Sequence, residues 1–157
     1  CELVRASAIA AGASGMVGGQ MIDLEAEHSA VDAAVIARLE RMKTGALIAF
    51  SCEAGAILAG PSSPDRAILR GFGFDLGLAF QIVDDLLDVE GDETNLGKKV
   101  GKDAAAGKAT FVAVLGTDGA RREAETLVER AISRLSGYGD GAAELRAIAK
   151  FVVDRKK

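Results

Sequence analysis

The stretch from Ser63 to Val89 constrains the fold more than any other part of the chain. Ser63, Pro64 and Asp65 combine a capping hydroxyl, a first-turn proline and an acid at the positive end of a helix, so they predict a helix start. Downstream, Ile68, Leu69, Phe72, Phe74, Leu76, Leu78, Phe80, Ile82, Val83, Leu86 and Leu87 point in nearly every direction around a helical axis. A helix that is apolar all round has to be surrounded, which predicts a place at the centre of a helical bundle.

The flanking segments agree with that architecture. Leu3 to about Glu27 reads as helix, and its glycines at 12, 15, 18 and 19 predict a kink or break near Gly18. Asp32 is a good cap for a long helix through Ile36, Leu39, Leu47 and Ile57 to Ala59, which Gly60-Pro61 ends. Glu90 to Gly107 is polar, glycine-rich and lysine-rich, the pattern of a mobile surface loop. Helical patterns resume at about 109–115, 118–135 and 141–155, separated by Gly116 and a turn at Ser136 to Gly139. Aromatic residues make up only 4% while Ala and aliphatic residues dominate, which suits close helix packing and makes the fold class all-α. With 157 residues, 49% of them hydrophobic, the chain can bury one core and reads as one domain.

Composition also narrows the function. The net charge is −4 and the basic residues are dispersed, which leaves no basic face for nucleic acid. The apolar segment from Ala46 to Ala59 is interrupted by Ser51 and Glu53, so no membrane span is expected and a cytoplasmic, reducing setting fits best. Cys1 and Cys52 have no metal-like spacing and read as small buried thiols. Leu3 to Ala11 looks like mid-helix sequence with no capping residue before it, so the natural polypeptide is expected to begin upstream of Cys1.

The central helix carries a contradiction. Asp84, Asp85 and Asp88 share one face within about a turn, and Gln81 extends that stripe by another turn. A solvated acidic face is the commoner reading of such spacing, but here the surroundings are apolar and unpaired buried carboxylates cost several kcal/mol each, roughly. A cation is therefore expected. Mg²⁺, with Mn²⁺ as a substitute, takes carboxylate oxygens while keeping waters and phosphate oxygens as further ligands. Lys43, and the loop residues Lys98, Lys99, Lys102 and Lys108, supply the matching positive charge for an anionic phosphate group.

Five signatures in order resemble the trans-isoprenyl diphosphate synthases, particularly the bacterial farnesyl diphosphate synthases. They are Gly18-Gly19-Gln20 with Asp23-Leu24; Lys43-Thr44-Gly45-Ala46-Leu47; Gly77-Leu78-Ala79-Phe80-Gln81 leading into Asp84-Asp85-Leu86-Leu87-Asp88; Leu96-Gly97-Lys98; and Asp103 with Gly107-Lys108-Ala109-Thr110. The resemblance implies an isoprenoid-synthase helical bundle, with residues 1–157 as the C-terminal portion of one polyprenyl synthetase domain and the homodimer as its full-length form. It implies a prenyltransferase that joins isopentenyl diphosphate head to tail to an allylic diphosphate, dimethylallyl or geranyl, giving farnesyl diphosphate.

The same resemblance assigns roles. Asp84 and Asp88 would hold Mg²⁺ against the allylic diphosphate, supported by Asp85; Lys43, Lys98 and Lys108 would bind the diphosphate. Thr44 and Gln81, together with Lys43, would act on the allylic carbocation. Gln20 and Asp23, on a facing helix, would orient water, a lysine or the second substrate, although a buried helix-to-helix hydrogen bond is an equally good reading. Asp103 would organise the loop lysines, and Arg155 with Lys156 and Lys157 resembles a basic tail that covers the site. The family's first aspartate cluster and its isopentenyl diphosphate arginines would lie upstream of Cys1, so this chain by itself is expected to be inactive. Two other classes stay open: a non-catalytic or regulatory half-length subunit of a heteromer, and a class I terpene cyclase, against which the loop from Leu96 to Thr110 argues.

Overall fold

The computed structural model describes residues 1–26, 32–60, 64–96 and 110–155, with the backbone alone for 92–96. Among the described residues every regular element is helical: α1 (Glu2–Ala11), α2 (Met16–Ala26), α3 (Ala33–Glu40), a π-helical turn (Arg41–Gly45), α4 (Ala46–Ala59), α5 (Asp65–Leu96), α6 (Phe111–Arg134), a 3₁₀ segment (Ser136–Ala142) and α7 (Ala143–Asp154). The all-α expectation holds.

Helix α5 is the axis of the bundle. It packs along α4 on one side and α6 on the other, and it also meets α3, the π-helical turn and α7. Phe72, Leu76, Ala79, Ile82, Val83 and Leu86 are buried along it, in one cluster with Ile36, Phe111, Leu127, Val128, Ala131 and Leu135. Phe72 is wholly enclosed, so truncating it to Ala would cost about 3–5 kcal/mol.

Several boundaries follow from local chemistry. The Asp32 side chain caps α3 by accepting a hydrogen bond from the Val35 N–H at 2.9 Å. Thr110 does the same for α6, accepting from the Ala113 N–H at 3.1 Å. Gly60 ends α4, its N–H bonded to the Ala56 carbonyl. Gly116 bends α6 with φ of 70°, a conformation that other residues rarely adopt.

Three expectations need correction. The break in the first helical stretch falls between Ala11 and Met16 rather than near Gly18, because Gly18 and Gly19 are needed inside α2 for packing. Helix α5 runs to Leu96, seven residues past the expected end at Val89, so 90–96 is not loop. An ion pair between Glu90 and Arg121 ties that extension to α6, a contact that sequence periodicity does not reveal. Finally, Cys1 is exposed and only Cys52 is half-buried, where burial pushes its thiol pKa up. The remainder of the lysine-rich segment, 97–109, lies outside the described residues.

The run from Ala33 to Ala59 is by length and composition capable of crossing a membrane. It nevertheless carries Glu40, Arg41, Lys43 and Glu53, and α4 packs against both α5 and α1. Arg66 donates from Nε and Nη2 to Glu53 at 3.0 and 2.8 Å and from Nη2 to Glu2 at 2.9 Å, joining α1, α4 and α5 through a buried carboxylate. This is the arrangement of a bundle helix with internal charge pairs.

Candidate active site

The π-helical turn between α3 and α4 organises the site. Widening the helix by one residue changes the direction of the side chains that follow, and such turns recur where a helix has to aim functional groups. Two close approaches hold it in place. A Cβ on Gly19 would lie 2.2 Å from the Lys43 backbone nitrogen, so only glycine lets α2 pack this tightly on the turn. On the opposite flank, a Cβ on Gly77 would come within 3.0 Å of the Gly45 Cα, which brings the turn onto α5.

These contacts bring together residues far apart in sequence. Lys43 Nζ donates to Asp23 Oδ2 at 2.5 Å, linking the turn to α2. Thr44 Oγ1 lies 3.1 Å from Gln81 Oε1, linking the turn to α5. Three residues beyond Gln81, Asp84 accepts a hydrogen bond from Arg155 Nη2 at 3.0 Å. The same Arg155 group donates to the Phe80 carbonyl at 3.2 Å, and its guanidinium lies 4.1 Å from the centre of the Phe80 ring. Arg155 Nε is buried and unpartnered, so the arginine's position leaves one of its donors unsatisfied.

Asp84, Asp85 and Asp88 lie on the predicted face of α5. Asp84 and Asp85 are half-buried and Asp88 is exposed. Among the described residues no three acidic, histidine or cysteine side chains converge into a ready-made metal cluster. The donor set still suits Mg²⁺, which characteristically takes one or two carboxylates and completes its shell with water and phosphate oxygens. Asp84 already holds a cationic partner in Arg155 while its side chain keeps 49% exposure. A small hard cation therefore fits the chemistry of these carboxylates.

Glu40, the last residue of α3, is the site residue that sequence reasoning missed. Burial, the neighbouring negative charge of Asp85 and, more weakly, that of Asp23 push its carboxyl up to about 7, against the opposing charge of Lys43 and the polar Thr44 hydroxyl. Its Oε2 is buried without a hydrogen-bond partner. Position gave the only available signal: it precedes the Lys43-Thr44-Gly45 motif by three residues, but glutamate in a helix usually reads as a surface charge.

Not every expected residue joins the constellation. Gln20 is exposed and makes no side-chain hydrogen bond among the described residues, whereas Asp23 does pair with a lysine. Lys98, Asp103 and Lys108 lie outside the described residues, as do Lys99, Lys102, Lys156 and Lys157. A cavity of about 730 Å³ lies among α1, α4 and α5, bordered by Arg41, Phe50, Arg70 and Phe74. A second, of about 360 Å³, lies among α5, α6 and α7 beside Arg155. Neither of these two cavities is lined by Lys43, Thr44 or Gln81, each of which is half-buried.

Comparison with known proteins places this face in context. Residues 4–145 match the family described as Polyprenyl synthetase. The chain is 38% identical over 160 residues to the farnesyl diphosphate synthase of Escherichia coli strain K12, covering 99% of this chain and 54% of that protein. The crystal structure of an FPP/GFPP synthase from Zymomonas mobilis matches with a TM-score of 0.81 and 48% identity, over 96% of this chain and 50% of that one. A geranyltransferase from Helicobacter pylori, crystallised with magnesium and isoprenyl diphosphate, matches with a TM-score of 0.77 and 28% identity, over 98% of this chain and 50% of its own. The chain thus spans about half the length of the relatives it matches.

Proposed function

The chain belongs to the polyprenyl synthetase family, and on that premise we propose that it carries the diphosphate-ionising side of a trans-prenyltransferase site. The reaction is head-to-tail condensation of isopentenyl diphosphate with dimethylallyl or geranyl diphosphate, with farnesyl diphosphate as product. One observation supports this reading above the others: the turn at 41–45 sets Lys43 and Thr44 opposite the α5 face that bears Gln81 and, one turn on, Asp84.

Asp84 and Asp88 would hold Mg²⁺, or Mn²⁺ in its place, with Asp85 supporting them. When bound, the metal supplies the positive charge that makes diphosphate a competent leaving group. The Helicobacter pylori relative solved with magnesium and isoprenyl diphosphate supports that ligand class. Lys43, with Lys98 and Lys108, adds fixed positive charge where negative charge develops as the carbon–oxygen bond breaks. Asp23 orients Lys43 through its 2.5 Å contact. The oxygens of Thr44 and Gln81 turn their negative ends toward the allylic cation, an interaction that grows as water is excluded.

Asp84 keeps half of its side chain exposed, which leaves the site open to further coverage. We assign that role to the rest of a longer polypeptide and to a homodimeric, cytoplasmic assembly, for which Val4, Ile9, Val17, Met21 and Leu24 on α1 and α2 supply exposed apolar surface. The test uses the natural-length protein with Mg²⁺, geranyl diphosphate and radiolabelled isopentenyl diphosphate, followed by chromatography of the dephosphorylated products. Farnesol is the expected species. Released hydrocarbon, or no incorporation of label, would contradict the proposal.

A further inference from the structure

The cavity of about 730 Å³ beside α4 is separate from the proposed site, since none of Lys43, Thr44, Gln81, Asp84 and Asp88 lines it. Its walls are of two kinds. Ile9, Met42, Phe50 and Phe74 form an apolar side, and the arginines at 5, 41, 66, 70 and 134 form a cationic one. Amphiphilic lining of this kind, in a volume typical of ligand sites, has no use in the reaction proposed above.

Among the described residues, three carboxylates pair with these arginines. Glu53 takes Arg66 at 2.8 Å and Arg70 at 3.8 Å, while Glu2 takes Arg66 again at 2.9 Å and Arg5 at 3.7 Å. Asp75 takes Arg134 together with Arg130, both at 2.7 Å. With Arg41, six arginines stand against three carboxylates, an excess of three positive charges in a chain whose net charge is −4.

Geometry gathers that excess at one place. Arg41 has no carboxylate within ion-pair distance among the described residues, and its guanidinium lies 3.7 Å from the centre of the Phe74 ring. The guanidinium of Arg70 lies 5.6 Å from the same ring centre. Arg134 comes in beside them: a Cβ on Gly71 would sit 2.8 Å from its Nη1, so the bare glycine makes room for that guanidinium against α5. Burial, with the like charges of Arg70, Arg130 and Arg134 working against the pull of Asp75, holds the Arg41 pKa below its ordinary value. Gathered like charges repel, and an incoming anion relieves the repulsion.

We propose that this cavity is a second anion site, which binds a phosphate monoester through Arg41, Arg70 and Arg134 and holds the ester's apolar chain against Ile9, Phe50 and Phe74. Guanidinium forks meet phosphate oxygens in pairs, a geometry that suits arginine better than lysine. Arg41, Arg70 and Arg134 are exposed, which weakens their hold on a bare anion, so burial of the chain has to supply the rest of the affinity. The positive charge comes from the protein itself, so binding needs no metal. The site goes beyond the prenyltransferase reading and stands or falls without it.

The test is calorimetric titration of decyl phosphate, below its micellar concentration, into the natural-length protein in EDTA. One equivalent should bind per chain, with inorganic phosphate and decanol each at least about tenfold weaker, because each offers only half of the ligand. Arg41→Gln, which breaks no ion pair among the described residues, should weaken decyl phosphate by about threefold to fivefold, and Arg41→Gln/Arg70→Gln by at least about tenfold. Lys43→Ala should bind it as wild type does. No binding in EDTA, or full affinity in the double variant with its urea midpoint unchanged, would overturn the proposal. So would loss of binding in Lys43→Ala, which would place the ligand in the proposed active site, or equal affinity for inorganic phosphate, which would leave the apolar wall without a part.

Discussion

Two carboxylates on α5 face opposite fates. Asp75 is buried and fully answered: Arg130 Nη2 donates to one oxygen and Arg134 Nε to the other, both at 2.7 Å. Asp84, about two and a half turns further along, keeps half its side chain open, and its partner among the described residues, Arg155, follows the end of the last helix. On α3, which packs against α5, the Glu40 carboxyl leaves a buried oxygen unpartnered. A helix that neutralises one carboxylate with two arginines from α6 has the means to neutralise others. At Asp84 it leaves half of the side chain exposed beside a single arginine, which fits charge held for the proposed ligand better than charge used for stability.

The contrast is most exposed to failure through its functional side. Replacing Asp84 with Ala in the natural-length protein should lower kcat by about two orders of magnitude or more while leaving the urea midpoint nearly unchanged, as expected when a metal ligand is removed. Turnover close to wild type would make Asp84 an ordinary surface acid.

Acidity gives the next largest effect. The Glu40 carboxyl is pushed up to about 7 from an ordinary value of 4.5, so the folded chain holds its proton more firmly than the unfolded chain does. Stability from this group is therefore fully present below about pH 4.5 and is lost as pH rises through 7, a change on the order of 3 kcal/mol. Urea unfolding of metal-free protein between pH 5 and 8 should show that decline, and Glu40→Gln should flatten it. Parallel profiles for the two proteins would remove Glu40 from the strained side of the comparison.

Asp75 supplies the structural counterpart. Asp75→Ala strands two arginines that remain half in solvent, so the expected cost is about 2 kcal/mol in unfolding free energy, with kcat per folded molecule preserved. The smallest effect belongs to Arg155. Removing it frees Asp84 from a competing cation, so Arg155→Ala should tighten Mg²⁺ binding by about twofold to fivefold, measured by calorimetry. Weaker binding would mean that Arg155 assists the metal instead of occupying its place.

Much of this division could be read in the sequence. The all-round apolar pattern of α5 marked the central helix, and the three aspartates within it marked the unusual charge. Asp32 and Thr110 show how capping chemistry fixes helix starts from local residues alone. What remained hidden depended on distance in sequence. Asp75 and its arginines are separated by 55 and 59 positions, and nothing in periodicity links them. The break at Gly12 to Gly15 was misplaced because glycine both interrupts helices and permits close packing. At Gly19 the proximity of Lys43 decides for packing. Glu40 was overlooked because its meaning comes from a π-helical turn, which has no composition signature of its own.

The most direct test is calorimetric titration of inorganic diphosphate into the natural-length protein, with and without Mg²⁺, for wild type and Asp84→Ala. The account predicts diphosphate binding that requires Mg²⁺ in wild type and is lost or weakened by at least about tenfold in the variant. Equal Mg²⁺-dependent binding in both proteins would contradict the assignment of the 84–88 carboxylates as the reserved site.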